Sequence, residues 1–225
     1  MSEQADNPNI ARTLAASAAI AAGALAIHKT RDALRTIEPT ADEISRSLPG
    51  DDLVPDANFV IDRGFTLHGT PDEIWPWITQ IGPERGGWPL PTSVERLLPA
   101  KGRAPRTISR DLPELRVGDS ISDWRLTTDD FKNEIRPIAE IAILDPGRTL
   151  VYKSEKIGKD GRSKPWSWEW HVSQAADDPD ISRVQTRFRA ANIKHVETFE
   201  RFAPLEGLLT VGFAAGVEQR LAKKR

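Results

Sequence analysis

Residues able to do chemistry fall into a few groups. Trp166, Trp168 and Trp170 alternate with Ser167, Glu169 and His171. On a strand this spacing puts three indoles on one face. Such a face suits an apolar ligand, and each indole N–H can orient a polar group of it. It suits packing of a sheet against a helix equally well. Arg85-Gly86-Gly87-Trp88 places a cation and a fourth indole on either side of two glycines. The glycines allow close backbone approach or a hinge. Trp88 then stands at an entrance, while Arg85 pairs with an anionic ligand group or buttresses its own loop. The segment lacks the lysine and the spacing of a phosphate-binding loop.

Glu169 and His171 share the opposite strand face, and His195 and Glu197 repeat that spacing. Histidine and carboxylate together suit metal ligation or acid–base work. A solvated face is the competing reading, because the tryptophans take the inner side. Arg183, Gln185, Arg187 and Arg189 form a basic strip that reads as a solvated face paired with neighbouring acids. No residue is assigned a catalytic role, and no metal or cofactor site is expected.

The composition narrows the classes. The chain has 225 residues with 31 Lys plus Arg, 33 Asp plus Glu and a net charge of -2, which gives no pull toward nucleic acid. It has no cysteine, so thiolate chemistry, disulfides and cysteine-based metal sites are excluded. Near the start, Ile10 to Ile27 is rich in alanine, and the uncharged stretch Thr13–Ile27 is 15 residues long. A membrane span normally takes about 20. Three readings stay open for residues 10–27: a helix packed on the domain or a partner, a membrane anchor, or a cleaved signal. The expected location is cytoplasmic, with membrane contact through this run as the alternative.

The elements that must position these residues follow from periodicity. Residues 28–47 read as helix broken at Pro39, and Leu48-Pro49-Gly50-Asp51-Asp52 is turn chemistry. This divides the chain into an N-terminal helical segment and linker, 1–54, and a folded domain, 55–225. Asn58–His68 alternates as a first strand. Thr70-Pro71-Asp72-Glu73 opens a helix with a capping box, and Thr92–Leu98 is a second, short one. Strand patterns recur near residues 120–126, 135–144, 149–156, 165–173 and 182–190, separated by turn signals. A last helix is expected from Pro204 to Lys223, with Gly207, Gly212 and Gly216 either packing closely or leaving room for a ligand.

This order is α+β: a curved antiparallel sheet wrapped around a long C-terminal helix, with two short helices after the first strand. Pro71-Asp-Glu-Ile-Trp-Pro-Trp-Ile-Thr-Gln-Ile-Gly82, Arg85-Gly86-Gly87-Trp88, Leu115-Arg-Val-Gly-Asp119, Asp145-Pro-Gly-Arg148 and Arg183-Val184 resemble the SRPBCC superfamily. That is the START and birch-pollen-allergen-like helix-grip fold, and within it the resemblance is to bacterial polyketide cyclase/dehydrase-type proteins. The resemblance implies a deep apolar cavity between sheet and terminal helix that binds a hydrophobic small molecule or lipid. Trp166, Trp168, Trp170, Trp88, Arg85, Gly86 and Gly87 are the expected ligand-binding residues. The alternatives are a cyclase or dehydratase acting on a hydrophobic substrate, and a membrane-tethered interaction protein. Trp88-Pro-Leu-Pro-Thr-Ser-Val-Glu95 lacks the tyrosines found there in relatives, which implies a different ligand.

Overall fold

A computed structural model describes residues 29–82, 85–122, 137–157 and 163–223. Residues 29–35 are helical, and a short helix, α1 (Ala41–Ser45), follows. Strand β1 (Phe59–His68) leads to α2 (Pro71–Thr79) and α3 (Thr92–Glu95). Then come β2 (Ser120–Ser122), β3 (Pro137–Asp145), β4 (Thr149–Ile157), β5 (Ser163–Gln174) and β6 (Ile181–Ala190). The last element is α4 (Val196–Leu221). The expected strands are all present. That of residues 120–126 is described only to Ser122.

The strands form one antiparallel sheet in the order β1-β6-β5-β4-β3-β2. The first strand thus pairs with the last, from Phe59 opposite Ala190 to His68 opposite Ile181. Local chemistry starts α2 as its sequence dictates: Pro71 takes the first helical position and Glu73 accepts the Thr70 backbone N–H at 3.1 Å. Gly147, at φ +80°, closes the β3–β4 turn, where a side chain would be strained. On the inner face Phe65, Leu67, Ile141, Leu150, Tyr152, Trp170, Val172 and Val184 meet Ile74, Trp77 and Ile78 of α2 and Phe213, Val217 and Leu221 of α4. This is the helix-grip arrangement: a curved α+β sheet closed by its terminal helix.

The terminal helix begins at Val196, not at Pro204, which lies inside it. Proline lacks the N–H for one helical hydrogen bond but does not end a helix whose other turns are held by packing. This start moves His195 and Glu197 off the sheet. His195 precedes the helix and Glu197 sits in its first turn, 3.3 Å apart and exposed, so they do not join Glu169 and His171.

The outer face of the sheet is covered, contrary to the solvated face expected from its polarity. Residues 38–54 lie across it. Leu48 and Val54 are buried there, and Ile37, just before them, belongs to the main core. The stretch read as a linker before residue 55 is therefore part of the folded unit. Arg187 is only 4% exposed. Its guanidinium donates to Asp62 (2.7 Å), to Asp51 (2.8 Å) and to the carbonyls of Glu43, Ile44 and Arg46. Arg183 donates to both carboxylate oxygens of Glu43 at 2.7 and 2.9 Å. Burial pushes the Glu43 carboxyl up, but the hydrogen bonds and charge of Arg183 outweigh it and hold it below its ordinary value. Gly50 donates its N–H to Glu169 (2.8 Å) and accepts from Ser167 Oγ (3.3 Å). The basic strip is thus the inner half of an internal ionic layer.

No helix among the described residues is long and apolar enough to cross a membrane. The alanine-rich run, residues 10–27, lies outside the described residues.

Candidate functional site

The loop after α2 builds the site. Gly82 and Gly87 exchange backbone hydrogen bonds (3.2 and 2.8 Å), and Gly86 donates to the Gln80 carbonyl (2.7 Å). Both closing glycines have positive φ, +139° at Gly82 and +71° at Gly87, a backbone that side chains rarely adopt. The loop is pinched at its neck and aims its two functional side chains at different partners.

Trp88 goes to the aromatic wall. Its ring stacks on Trp168 (centroids 6.2 Å, 16° between planes) and meets Trp170 edge-on at 6.1 Å. Phe213 of α4 lies 5.2 Å away, and the indole N–H donates to the Leu209 carbonyl of the same helix (3.1 Å). The structure therefore brings Trp88, Trp168 and Trp170 together. Trp166 is on the same face but pairs with Phe188 (5.8 Å). Trp170 is fully buried, and its Nε1 has no hydrogen-bond partner. Trp166 and Trp168 keep part of their surface open.

The chain beyond Trp88 is clamped. A Cβ on Gly216 would lie 2.6 Å from the Pro89 backbone, and one on Gly212 would lie 2.7 Å from Leu90 Cδ2. These helix glycines therefore admit the Pro89–Leu90 strap rather than a ligand. Gly207 does the same for Leu34, at 2.5 Å. Arg220 donates to the Leu90 carbonyl (3.0 Å) and to Glu95 (2.7 Å). Glu95 in turn accepts the Leu90 N–H (3.0 Å) and binds Arg106.

Arg85 is turned away from the wall. Its Nε donates to the Thr79 carbonyl (2.8 Å) and its Nη2 to the Pro113 carbonyl (3.0 Å). The buttressing reading expected from sequence thus holds for two of its N–H groups, and no carboxylate lies within ion-pair distance among the described residues. Desolvation lowers the guanidinium pKa, opposed by the charges of Tyr152 and Asp119. Tyr152, tilted against Trp168 at 5.9 Å, is buried, and burial pushes its phenol up to about 12 against the pull of Arg85. A phenol held neutral is a hydrogen-bond donor, not a base, near neutral pH.

The sequence reading gave no site role to Tyr152, Phe213, Arg220 or Glu95. The alternation of β4 could have pointed Tyr152 inward. Nothing local in the sequence couples Glu95 to Arg220. Among the described residues no three His, Asp or Glu side chains gather as metal ligands.

No family model and no curated protein matches the chain. Solved structures similar to it include protein Ms6760 from Mycobacterium smegmatis, at 12% identity and a TM-score of 0.44, covering 75% of this chain and 94% of that one. The di-domain ARO/CYC StfQ of the steffimycin biosynthetic pathway is similar at 11% identity and a TM-score of 0.41, over 78% and 54%. Norcoclaurine synthase from Thalictrum flavum is similar at 13% identity and a TM-score of 0.37, over 80% and 96%. Likeness at this level carries no argument about activity, and the helix-grip assignment rests on the strand order and the terminal helix described above.

Proposed function

We propose that the protein binds a hydrophobic small molecule or lipid between the sheet and α4, against the wall of Trp166, Trp168 and Trp170. One observation carries this reading: Trp170 buries an indole N–H without an acceptor, directly behind Trp88. A buried donor left unpaired costs about 1–3 kcal/mol; Trp77 carries a second such indole N–H in this core, but only that of Trp170 belongs to a ring packed against Trp88 and Trp168. Rotation of Trp88 would open the space over Trp168 and bring an acceptor on the ligand within reach of the Trp170 N–H. Apolar ligand surface would then replace the Trp88 ring, gaining about 25 cal/mol per Å2 before ordering costs.

The test is titration with a neutral apolar fluorophore, N-phenyl-1-naphthylamine, together with mass spectrometry of small molecules released on denaturation. The Trp168→Ala protein should bind the fluorophore at least about tenfold more weakly while still unfolding cooperatively. Unchanged affinity would defeat the proposal. Equal losses of stability and binding would assign Trp168 to the core alone.

A further inference from the structure

Beyond the tryptophan wall, two adjoining clefts of about 410 and 540 Å3 share Arg85, Pro113, Glu114 and Leu115. Trp88, Trp166, Trp168 and Trp170 line neither. The smaller cleft is walled by Trp75, Ile108, Leu112, Leu115 and Leu144, all half-buried apolar side chains. Its volume lies in the usual range for small-molecule sites.

The polar groups of this cleft are largely satisfied from within. Thr79 Oγ1 and Gln80 Nε2 both donate to the Pro76 carbonyl (3.2 and 3.1 Å), and Gln80 Oε1 accepts the Ser109 N–H (2.8 Å). Arg85 differs. A guanidinium has five N–H groups. Two are engaged by carbonyls, its nearest acidic influence, Asp119, lies beyond ion-pair distance, and Nη1 has no hydrogen-bond partner among the described residues. Elsewhere in this fold the half-buried Arg183 and the fully buried Arg187 each find a carboxylate. The two carbonyl bonds hold the Arg85 fork in place, so little ordering is needed to bind an anion. The acidic groups at the site stand toward its rim. Glu114 is exposed, and Asp119, which lines only the larger cleft, already accepts the Arg116 N–H at 2.7 Å.

We infer that this cleft binds an apolar carboxylic acid, with its hydrocarbon part against Trp75, Ile108, Leu112 and Leu115 and its carboxylate on the free edge of the Arg85 guanidinium. This site is separate from the one proposed above and stands without it.

The test compares decanoate with decanol by isothermal titration of the full-length protein. Decanoate should bind roughly tenfold or more tightly than decanol, the margin expected for a charge-assisted hydrogen bond. Arg85→Met should remove that margin and Arg85→Lys should keep part of it. Glu114→Gln should tighten decanoate binding by relieving like-charge repulsion. Trp168→Ala should leave decanoate affinity unchanged, which separates this site from the aromatic wall. Decanol binding as tightly as decanoate to the unaltered protein would overturn the inference, whatever becomes of the Arg85 variants. So would no measurable binding of decanoate, or its loss in Trp168→Ala.

Discussion

Glu169→Gln should make the protein more stable above neutral pH and leave it nearly unchanged in mild acid. Glu169 is 1% exposed on the outer face of the sheet. Burial raises its pKa from 4.5 to about 7, the Gly50 N–H bond opposes this, Asp51 adds to it and Arg187 opposes it. One carboxylate oxygen accepts from Gly50, while the other is buried with no partner. The folded state therefore holds a proton here that the unfolded chain releases once pH passes about 4.5. Stability from this group is complete below that value and is lost as pH rises through about 7. A shift of this size corresponds to an upper bound of about 3 kcal/mol, or roughly 6–12 °C in Tm for a chain of this length. Glutamine keeps an oxygen for the Gly50 N–H and stays neutral at every pH. Its amide also brings a donor to a face where Asp51 Oδ1 and Gln185 Oε1 are buried without hydrogen bonds. His171 acts with the opposite sign: desolvation lowers its pKa, so its contribution is lost as pH falls. Comparing the two proteins cancels that term. The assay is urea unfolding of both at steps between about pH 5 and 8.5, with the variant gaining on the parent as pH rises. Parallel curves across that range would refute the reasoning.

Three further outcomes follow from the packing. Glu95→Ala strips the partner from the fully buried Arg220. It should cost about 3–5 kcal/mol in urea unfolding and speed amide exchange in the Trp88–Glu95 strap. Gly216→Ala should destabilise by about 1–3 kcal/mol although alanine is the better helix former, because the new methyl meets Pro89 backbone. Gly102→Ala, with nothing within 4 Å of its added Cβ, is the control and should change stability by less than about 0.5 kcal/mol. Deleting residues 1–54 should abolish cooperative thermal unfolding by uncovering Arg187, Gln185 and Glu169, whereas a boundary at residue 55 would leave a foldable domain.

The strands were readable because alternation is local: Trp166, Trp168 and Trp170 declare a face within five residues. Which face is covered, and by what, is not a local property. Glu169 and the arginines of β6 read as solvent-facing because polar residues on one strand face ordinarily are. Their cover comes from residues 38–54, whose buried Leu48 and Val54 mark no regular period. The start of α4 was misplaced because proline favours a helix start, and Pro204 offered one inside a longer helix. Of the site, the shared face of Trp166, Trp168 and Trp170 is legible from alternation, but the stacking of Trp88 on Trp168 joins segments 80 residues apart and is not. The turning of Arg85 toward Thr79 and Pro113 depends on the Gly82–Gly87 closure and is not legible either.

The pairing of β1 with β6 also bears on how the chain matures on the ribosome. Strands β2 to β5 each pair with the next in sequence, so hairpins can form as they emerge. β1 has no such neighbour, and the Glu43–Arg183 pair on the outer face joins residues 140 positions apart. At about 5–20 residues per second, roughly 7–28 seconds of synthesis separate the two partners. Through that interval β1 carries an unpaired edge and a row of phenylalanine and leucine side chains, the kind of segment that recruits holdase chaperones. The fold closes only when β6 clears the exit tunnel, so a stop codon ahead of residue 181 would release a chain whose first strand has nothing to join.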